Sequence, residues 1–322
     1  MLLAEDTMGQ IPSEPSSLPP LCNYENSDYQ TTFWEQGGRE YEDQAEAIAL
    51  KHLLPRQGQW LLEIGAGAGR NTPRYHAFQH IVLLDYSLTQ LQQAKARLSA
   101  ADSSPLSPAG FARYIYVAAN AYRLPFAPYS FDCVTTIRVL HHLADVPLAI
   151  REIHRVMSNN GVLVMEFANK HNLKAILRYW LGKQTWNPFS LEPLEFVKLN
   201  FDFHPSWMEQ QLTHNGFIIQ EKRNVSSLRL GILKKVLPLS SLVHLDALLQ
   251  PSGKWFQFAP SIFFRASALH RSASPSQSSA SLVFACPQCR TYPLVSTPAA
   301  FVCPSCGREW IIQDGIVDFR IG

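Results

Sequence analysis

Residues 60–69, Trp-Leu-Leu-Glu-Ile-Gly-Ala-Gly-Ala-Gly, join an apolar run to three closely spaced glycines. The apolar run predicts a buried parallel strand, and the glycines after it predict a tight turn at the start of a helix. Glycine is favoured in such a turn because the backbone takes positive φ and a ligand approaches it closely. The pattern indicates an α/β fold with a doubly wound, mostly parallel sheet.

The acidic residue before the turn, Glu63, restricts the ligand. A dinucleotide would place its pyrophosphate near the helix N-terminus, where the Glu63 carboxylate would repel it. The dinucleotide fingerprint also requires a third glycine at the position of Arg70. A cationic or amine-bearing cofactor therefore fits better. For the glycine motif taken alone, a tight strand–helix junction without a ligand is the alternative.

A second strand with an acidic end follows. Residues 81–85, Ile-Val-Leu-Leu-Asp, predict this strand, and its last residue stands about 20 positions after the turn, where an acidic side chain binds a ribose diol. Ser87 and Gln90 predict a capping box that opens the next helix. Asp85 could alternatively be only a helix cap. Because Glu63, the glycines and Asp85 occur together at the spacing of a cofactor site, we favour such a site over a ligand-free junction.

Together with later motifs, these residues resemble the class I S-adenosylmethionine-dependent methyltransferases. The resemblance is to the type 11 branch, which is related to ubiquinone and menaquinone biosynthesis enzymes, and it extends over residues 60–167. Further motifs that contribute to it are Asn-Ala-Tyr-Arg-Leu-Pro-Phe at 120–126, Ser-Phe-Asp-Cys-Val at 130–134, Val-Leu-His-His-Leu at 139–143, Glu-Ile-His-Arg-Val-Met at 152–157 and Gly-Val-Leu at 161–163. The resemblance implies a seven-stranded Rossmann-like sheet and methyl transfer from S-adenosyl-L-methionine.

The resemblance also implies which residues contact the cofactor. The glycine turn is expected to wrap the methionine part, Asp85 to hold the ribose hydroxyls, and Asn120 to lie beside the adenine. The full set expected in the pocket is Glu63, Gly65, Gly67, Gly69, Asp85, Tyr86, Asn120, Ala121 and Arg138. The family usually has aspartate where this chain has Asn120, but an amide oxygen also accepts from the adenine amino group.

Candidate catalytic residues follow the fourth predicted strand. Methyl transfer from a sulfonium mainly requires alignment and shielding, so no catalytic side chain is strongly indicated. His141 and His142 are the candidates, because an imidazole there can take the proton of a hydroxyl acceptor. A packing role for both histidines is the alternative. Glu166 and Asn169, after the fifth strand, are alternative contacts for the acceptor.

Four of the six cysteines form two Cys-x-x-Cys pairs, Cys286 with Cys289 and Cys303 with Cys306. This spacing predicts a structural Zn²⁺ held by four thiolates. Disulfides are the alternative, and the absence of a predicted export signal disfavours them. The segment resembles the zinc-ribbon activator subunits of RNA and protein methyltransferases, including their Asp-Gly-Ile run, here at 314–316. Those subunits are separate chains, whereas this ribbon is fused.

The motifs divide the chain into a methyltransferase domain and a zinc ribbon. Residues 225–258 form an apolar, mildly basic stretch that is expected either to shape the substrate pocket or to form plain packing helices. The predicted boundaries are a disordered tail at 1–22, the methyltransferase domain at 23–266 (cap helices 23–57, core 58–167, acceptor-side region 168–266), a Ser-rich linker at 267–281 and the zinc ribbon at 282–322.

The composition limits the possible functions. A net charge of +2 over 322 residues indicates no general affinity for nucleic acid. No apolar run reaches the length of a membrane span and no signal peptide is predicted, so a cytoplasmic location is expected.

Two functions fit the sequence. The first is an active methyltransferase acting on a small-molecule, lipid-like or macromolecular acceptor. The second is a cofactor-binding regulatory or scaffold module with little turnover that interacts through its ribbon. RNA or protein contact through the ribbon is a further expectation, although the basic and aromatic residues available for it, Arg290, Arg308, Trp310 and Arg320, are few.

Overall fold

The computed structural model describes residues 18–27, 30–99, 113–229, 231–270 and 282–321. Most of the predicted tail and most of the predicted linker lie outside these ranges. Within them the chain alternates strands and helices, as expected for an α/β fold.

The strands are β1 (Gly58–Ile64), β2 (Phe78–Asp85), β3 (Tyr114–Ala118), β4 (Phe131–Thr136), β5 (Met157–Ala168), β6 (Leu194–Val197), β7 (Asn200–Asp202), β8 (Phe217–Val225), β9 (Ser261–Ala268), β10 (Val295–Ser296), β11 (Ala300–Val302), β12 (Glu309–Gln313) and β13 (Ile316–Asp318). The α-helices are α1 (Glu40–Leu53), α2 (Leu88–Ser99), α3 (Val146–Val156), α4 (Leu173–Trp180), α5 (Pro205–His214), α6 (Gly231–Val236) and α7 (Leu239–Leu249). Short turns of other helical types occur at Gln30–Glu35, Thr72–Tyr75, Leu140–His142 and Gln250–Lys254.

The methyltransferase-like part of the sheet has the order β3-β2-β1-β4-β5-β9-β8. Strands β1 to β5 pair in parallel, and β9 runs antiparallel to both β5 and β8. The predicted seven-stranded, mostly parallel sheet is thereby confirmed. Successive side chains of β1 enter two separate cores, Leu61 on one face and Leu62 on the other, which is why the strand is apolar throughout.

The ribbon continues this sheet. Strand β13 pairs in parallel with the edge strand β3, with Ile316 opposite Tyr116 and Val317 opposite Val117. Strands β12, β11 and β10 follow in antiparallel order. An edge strand otherwise leaves its backbone N–H and C=O groups unpaired. The ribbon provides hydrogen-bond partners for these groups of β3. The sequence indicated a separate small module and gave no sign of this pairing.

The acceptor-side region contains helices α4 to α7. The first turns of α4 and α5 are capped by Asn172 and His204. Residues 225–258 form α6 and α7, and α7 packs against α1. Ser267 lies in β9, so any linker begins after the predicted boundary.

The predicted capping box at α2 forms only in part. Ser87 Oγ accepts from the Gln90 amide at 3.2 Å, as expected of an N-cap. The Gln90 side chain instead donates to the carbonyl of Ser27 at 2.8 Å. The N-terminal segment is thereby tied to the start of α2.

Candidate functional site

A cleft that is partly open to solvent lies at the carboxyl ends of β1, β2 and β4. The strand order reverses between β1 and β4, and ligands of open α/β sheets bind at such a switch point. The predicted residues that line the cleft are Glu63, Gly65, Gly67, Asp85, Tyr86, Ala121, Arg138 and His142. Gly69, Asn120 and His141 are not among its lining residues.

The glycine turn is shaped differently at each position. Gly65 has φ +67°, and a Cβ there would lie 2.2 Å from Val139 Cγ2, so no side chain fits. Gly67 has φ +53°, and its nearest neighbour would be 3.8 Å away, which leaves this part of the backbone open to a ligand. Gly69 packs against Ala94 of α2, and its role is close helix packing.

Asp85 fixes the glycine turn. Its Oδ2 accepts from the Gly67 amide at 2.8 Å and its Oδ1 accepts from the Ser87 amide at 2.9 Å. Burial raises the pKa of the Asp85 carboxyl above its usual value. A carboxylate has about four acceptor sites, so the hydrogen bonds from backbone amides leave capacity for a ribose hydroxyl.

Glu63 lies buried at the end of β1 and lines the cleft. Its Oε2 accepts from Thr72 Oγ1 at 2.6 Å. Burial raises the pKa of Glu63 to about 7, and the hydrogen bond from Thr72 and the charge of Arg70 oppose the rise. A cationic ligand beside this carboxyl would favour its ionised form.

Two arginines of the cleft wall share one buried carboxylate of α1. Arg70 Nη2 and Arg138 Nε donate to Glu46 at 2.7 Å and 2.8 Å. Although burial opposes ionisation, the charges of Arg138 and Arg70 hold the pKa of Glu46 below its usual value. The Arg70 guanidinium also lies 3.6 Å from the ring centroid of Trp34. Helix α1 therefore fixes both arginines beside the cleft.

His142 forms a hydrogen-bonded pair with Tyr24. Its Nδ1 lies 3.3 Å from the carbonyl oxygen of Leu199, and its Nε2 lies 2.9 Å from Tyr24 Oη. Because a carbonyl only accepts, Nδ1 is assigned the proton and Nε2 accepts from the Tyr24 hydroxyl. Burial lowers the pKa of His142. The ring is therefore neutral at physiological pH, with its basic nitrogen beside the cleft.

His141 has a different environment. Its Nδ1 atom is buried and has no hydrogen-bond partner among the described residues. Burial, with smaller effects of His142 and Arg138, lowers the pKa of His141 well below its usual value. Of the two candidate histidines, the structure brings only His142 to the cleft.

Other candidate residues are held by the protein itself. Asn120 Oδ1 accepts from the Tyr122 amide at 2.9 Å. Glu166 accepts from the Arg138 amide and from Ser261 Oγ, and Asn169 donates to two carbonyls of the segment before β9. Contacts of Glu166 and Asn169 with an acceptor stay predictions, and both side chains already have structural partners.

Sequence reasoning missed most of the N-terminal wall of the cleft. Leu21, Cys22, Tyr24 and Trp34 all line it. The sequence predicted cap helices only for residues 23–57, with the aromatic residues there as the available signal, and it placed Leu21 and Cys22 wrongly in a disordered tail. Which of them face the cleft depends on how the segment folds back, for example through the pairing of Leu21 with Leu143.

The four ribbon cysteines lie together. Their Sγ atoms are all within 4.8 Å of one another, with 3.7 Å between Cys286 and Cys306 and 3.4 Å between Cys289 and Cys303. Sulfurs of a tetrahedral zinc site stand roughly 3.8 Å apart. Both Cys-x-x-Cys turns contain the same hydrogen bond. The Arg290 amide donates to the Cys286 carbonyl in the first turn, and the Gly307 amide donates to the Cys303 carbonyl in the second.

Comparison with known proteins identifies the family that the central segment resembles. Residues 62–165 match the family described as a methyltransferase domain. This segment is a methyltransferase domain. The resemblance to class I S-adenosylmethionine-dependent methyltransferases is thus confirmed for the part of the chain that contains the glycine turn, Asp85 and His142.

Curated relatives match the same domain. The ubiquinone/menaquinone biosynthesis C-methyltransferase of Vibrio cholerae is 32% identical over 118 residues, which is 35% of this chain and 43% of the relative. The demethylmenaquinone methyltransferase of Streptomyces griseus is 28% identical over 144 residues, 44% of this chain and 51% of the relative. The chain thus spans about half the length of these relatives.

A solved structure has the fold of this methyltransferase domain. A chain of the complex between the Haloferax volcanii Trm112 methyltransferase activator and a methyltransferase aligns with 75% of this chain and 96% of its own length. The TM-score is 0.51 at 13% identity. Among the residues that the structure describes, no helix is long and apolar enough to cross a membrane.

Proposed function

We propose that this protein is an S-adenosylmethionine-dependent methyltransferase. The observation that supports this most directly is the convergence of Glu63, the open backbone at Gly67, and Asp85 on one cleft at the switch point of the sheet. A buried carboxyl at the first strand end suits the amine of the methionine part, and Asp85 suits a ribose diol. The curated relatives of the domain are also methyltransferases by name.

The cofactor would supply a methyl group on a positively charged sulfur, which is already activated for transfer. The residues of the chain would therefore mainly align the acceptor and exclude water. Burial lowers the pKa of His142 and so keeps Nε2 unprotonated, and this nitrogen would receive a proton from the acceptor after exchanging its hydrogen bond from Tyr24 for one from the acceptor. The His142 Nδ1–H bond to the Leu199 carbonyl would hold the ring in the required tautomer.

We further propose that Cys286, Cys289, Cys303 and Cys306 hold one structural Zn²⁺. Four sulfurs at nearly tetrahedral spacing support this, and four thiolates leave no open coordination position for catalysis. The metal would stabilise the turns from which β11 to β13 extend, and so the strand that pairs with β3.

The proposed acceptor is a small or lipid-like molecule. An RNA acceptor recruited by the ribbon is less favoured because three of the four residues expected to bind it are engaged. Arg290 pairs with Glu152 at 2.7 Å, Arg320 pairs with Asp318 at 2.8 Å, and Trp310 is buried. A cofactor-binding module without turnover is also not favoured, since Asn120, the one departure from the family pattern, does not line the cleft.

Isothermal titration of the full chain with S-adenosylmethionine and S-adenosylhomocysteine tests the cofactor site. We expect micromolar-range binding, and Asp85→Asn should weaken it by about tenfold or more, because a charged acceptor of two hydrogen bonds is lost. Asp314→Asn, in an exposed turn of the ribbon, is the matched control and should bind as the wild type does. If neither ligand binds in that range, the proposed function is wrong.

Methyl transfer itself is tested by incubating the chain with methyl-labelled S-adenosylmethionine and fractionated small-molecule, lipid and RNA extracts. Label in the small-molecule or lipid fraction would support the proposal and supply the acceptor. Binding of the cofactor without label in any fraction would favour the module without turnover.

A further inference from the structure

A group of large apolar side chains is exposed on the acceptor-side region. Trp180 and Leu181 at the end of α4 are 69% and 66% exposed, and Trp255 and Phe256 before β9 are 66% and 60% exposed. Leu177 and Phe189 are also exposed. Single exposed apolar residues are ordinary, but contiguous groups of them mark interaction sites. We call these six side chains and Phe258 the acceptor-side apolar surface.

Ring contacts join its two parts. The ring of Phe189 stacks on Trp180 with centroids 6.3 Å apart and contacts His171 at 5.3 Å. His171 in turn contacts Phe258 at 5.5 Å, and Phe258 stacks on Phe256 at 6.0 Å. Helix α4, the segment after it and the segment before β9 therefore present one continuous surface.

Exposed cations surround this surface. Lys174 and Arg178 lie on α4, Lys183 follows it, and Lys254 precedes Trp255. Within the described part of the chain none of these four forms an ion pair, and the Lys254 ammonium lies 5.8 Å from the Trp255 ring. Exposed carboxylates between residues 170 and 200 are limited to Glu192 and Glu195. The surface thus combines tryptophans with an excess of positive charge.

This combination matches an anionic membrane surface. Tryptophan is favoured at the headgroup level because its ring is apolar and its N–H is polar. Lysine and arginine beside it are attracted to anionic lipids, with an energy that falls off within a Debye length. A protein partner would need an apolar patch opposite the tryptophans and, in addition, carboxylates opposite the surrounding cations.

A hairpin with exposed apolar side chains contacts both the cofactor cleft and the segment that contains Phe189. The hairpin of β6 and β7 bears the exposed side chains of Phe196 and Val197, and its Leu199 carbonyl accepts from His142. The Phe196 ring contacts Trp186 at 5.4 Å, in the segment that also contains Phe189. The hairpin therefore connects the segment that contains Phe189 with the His142 side of the cleft.

We propose that the acceptor-side apolar surface docks the protein onto the headgroup region of an anionic lipid bilayer. Docking buries the exposed tryptophans and neutralises the surrounding cations, with no segment crossing the membrane. The proposal concerns membrane attachment alone and stands whether or not methyl transfer is observed.

The test is co-sedimentation of the full chain with vesicles of phosphatidylcholine alone and of phosphatidylcholine mixed with phosphatidylglycerol. We expect binding to the mixed vesicles, weaker binding to the neutral ones, and loss of binding as salt is raised. The double variant Trp180→Ala with Trp255→Ala should reduce the partition coefficient by about tenfold or more. Both side chains are largely exposed, so the variant should keep the wild-type melting temperature.

Ile218→Ala and Ile311→Ala are matched controls, because both isoleucines are about half exposed but lie on β8 and β12. They should bind vesicles as the wild type does. The proposal is overturned if the wild type does not bind mixed vesicles at low salt, or if the double variant binds them equally well. It is also overturned if the chain forms a dimer that the double variant dissociates, since the surface would then join two copies.

Discussion

The Arg320 guanidinium donates to the backbone carbonyl of Tyr86 at 3.4 Å, and this contact joins the ribbon to the wall of the cofactor cleft. The same group lies 3.5 Å from Glu25, whose carboxylate accepts from the first amides of α2, those of Leu88 and Thr89. The ribbon thus supports the cleft at the turn that follows Asp85.

We expect Arg320→Ala to weaken S-adenosylmethionine binding modestly, by about threefold, because partly exposed ion pairs contribute little free energy. The measurement is isothermal titration of the wild type and the variant. Arg308→Ala, which removes an arginine stacked on Trp310 in the same ribbon, is the control and should leave the affinity unchanged. Equal effects of the two substitutions would mean that Arg320 acts only through ribbon stability.

Removal of the metal should detach the ribbon from the sheet. We expect Cys303→Ser, or treatment with a strong chelator, to lower the melting temperature and to expose the apolar side chains of Ile316 and Phe319, which are buried in the folded protein. A dye that binds apolar surface, together with metal analysis, checks this. Purified wild type should contain about one zinc per chain.

Cys22→Ser is the control for metal content, since Cys22 lies in the N-terminal segment and not in the cluster. It should retain the wild-type zinc content. A wild-type chain purified without zinc whose ribbon cysteines are oxidised in pairs would contradict the metal site and favour the disulfide alternative.

Cofactor binding should strengthen as the pH rises towards neutrality. Glu63 has a pKa of about 7 in the folded protein, so its ionised fraction increases about fivefold between pH 6 and pH 7, while an α-amino group stays mostly protonated. If the ionised carboxylate binds that amine, the affinity should rise by about the same factor. Titration at the two pH values measures it.

Glu63→Gln is the control for this pH dependence. It should bind the cofactor more weakly at neutral pH, with an affinity that is nearly the same at both pH values. The variant should also raise the stability of the ligand-free protein above pH 7. Because burial raises the pKa of folded Glu63, the wild type loses stability as the pH rises from the unfolded value to about 7. A wild-type affinity that does not change with pH would argue against the contact.

Two alanine substitutions in the glycine turn should have different effects. Gly65→Ala should destabilise the fold by about 2 kcal/mol or more, since it adds a clash with Val139 to the cost of positive φ. Gly67→Ala should cost only about 1 kcal/mol, because no neighbour obstructs its Cβ. It should nevertheless reduce cofactor affinity, since that Cβ would enter the cleft. Chemical denaturation and titration separate the two effects.

His142→Asn should reduce the turnover of a hydroxyl or carbon-acid acceptor by about a hundredfold or more if the imidazole removes its proton. Because burial lowers the pKa of His142, the wild-type rate at saturating cofactor should stay constant on acidification until the pH falls below the usual histidine value. Tyr24→Phe keeps the imidazole and removes its hydrogen-bond partner, so it should change the rate much less. An unchanged rate for His142→Asn would assign His142 a packing role.

The sequence alone determined the sheet and the centre of the site. The apolar run before Glu63 together with the glycines after it predicts a buried strand, and the spacing from the glycine turn to Asp85 places both strand ends at one edge. The cysteine spacing likewise predicted the cluster, because Cys-x-x-Cys turns are local structures. These features depend on contacts within short segments, which is why they can be read without the fold.

The tertiary structure alone decided which residues surround the site. The sequence contains His141 next to His142, but the short helical turn that they share directs only His142 to the cleft. Tyr24 and Glu46 reach the site from the N-terminal segment and α1, and β13 pairs with β3 although the two strands are far apart in the sequence. Such contacts arise from packing between distant segments, and no local pattern of residues encodes them.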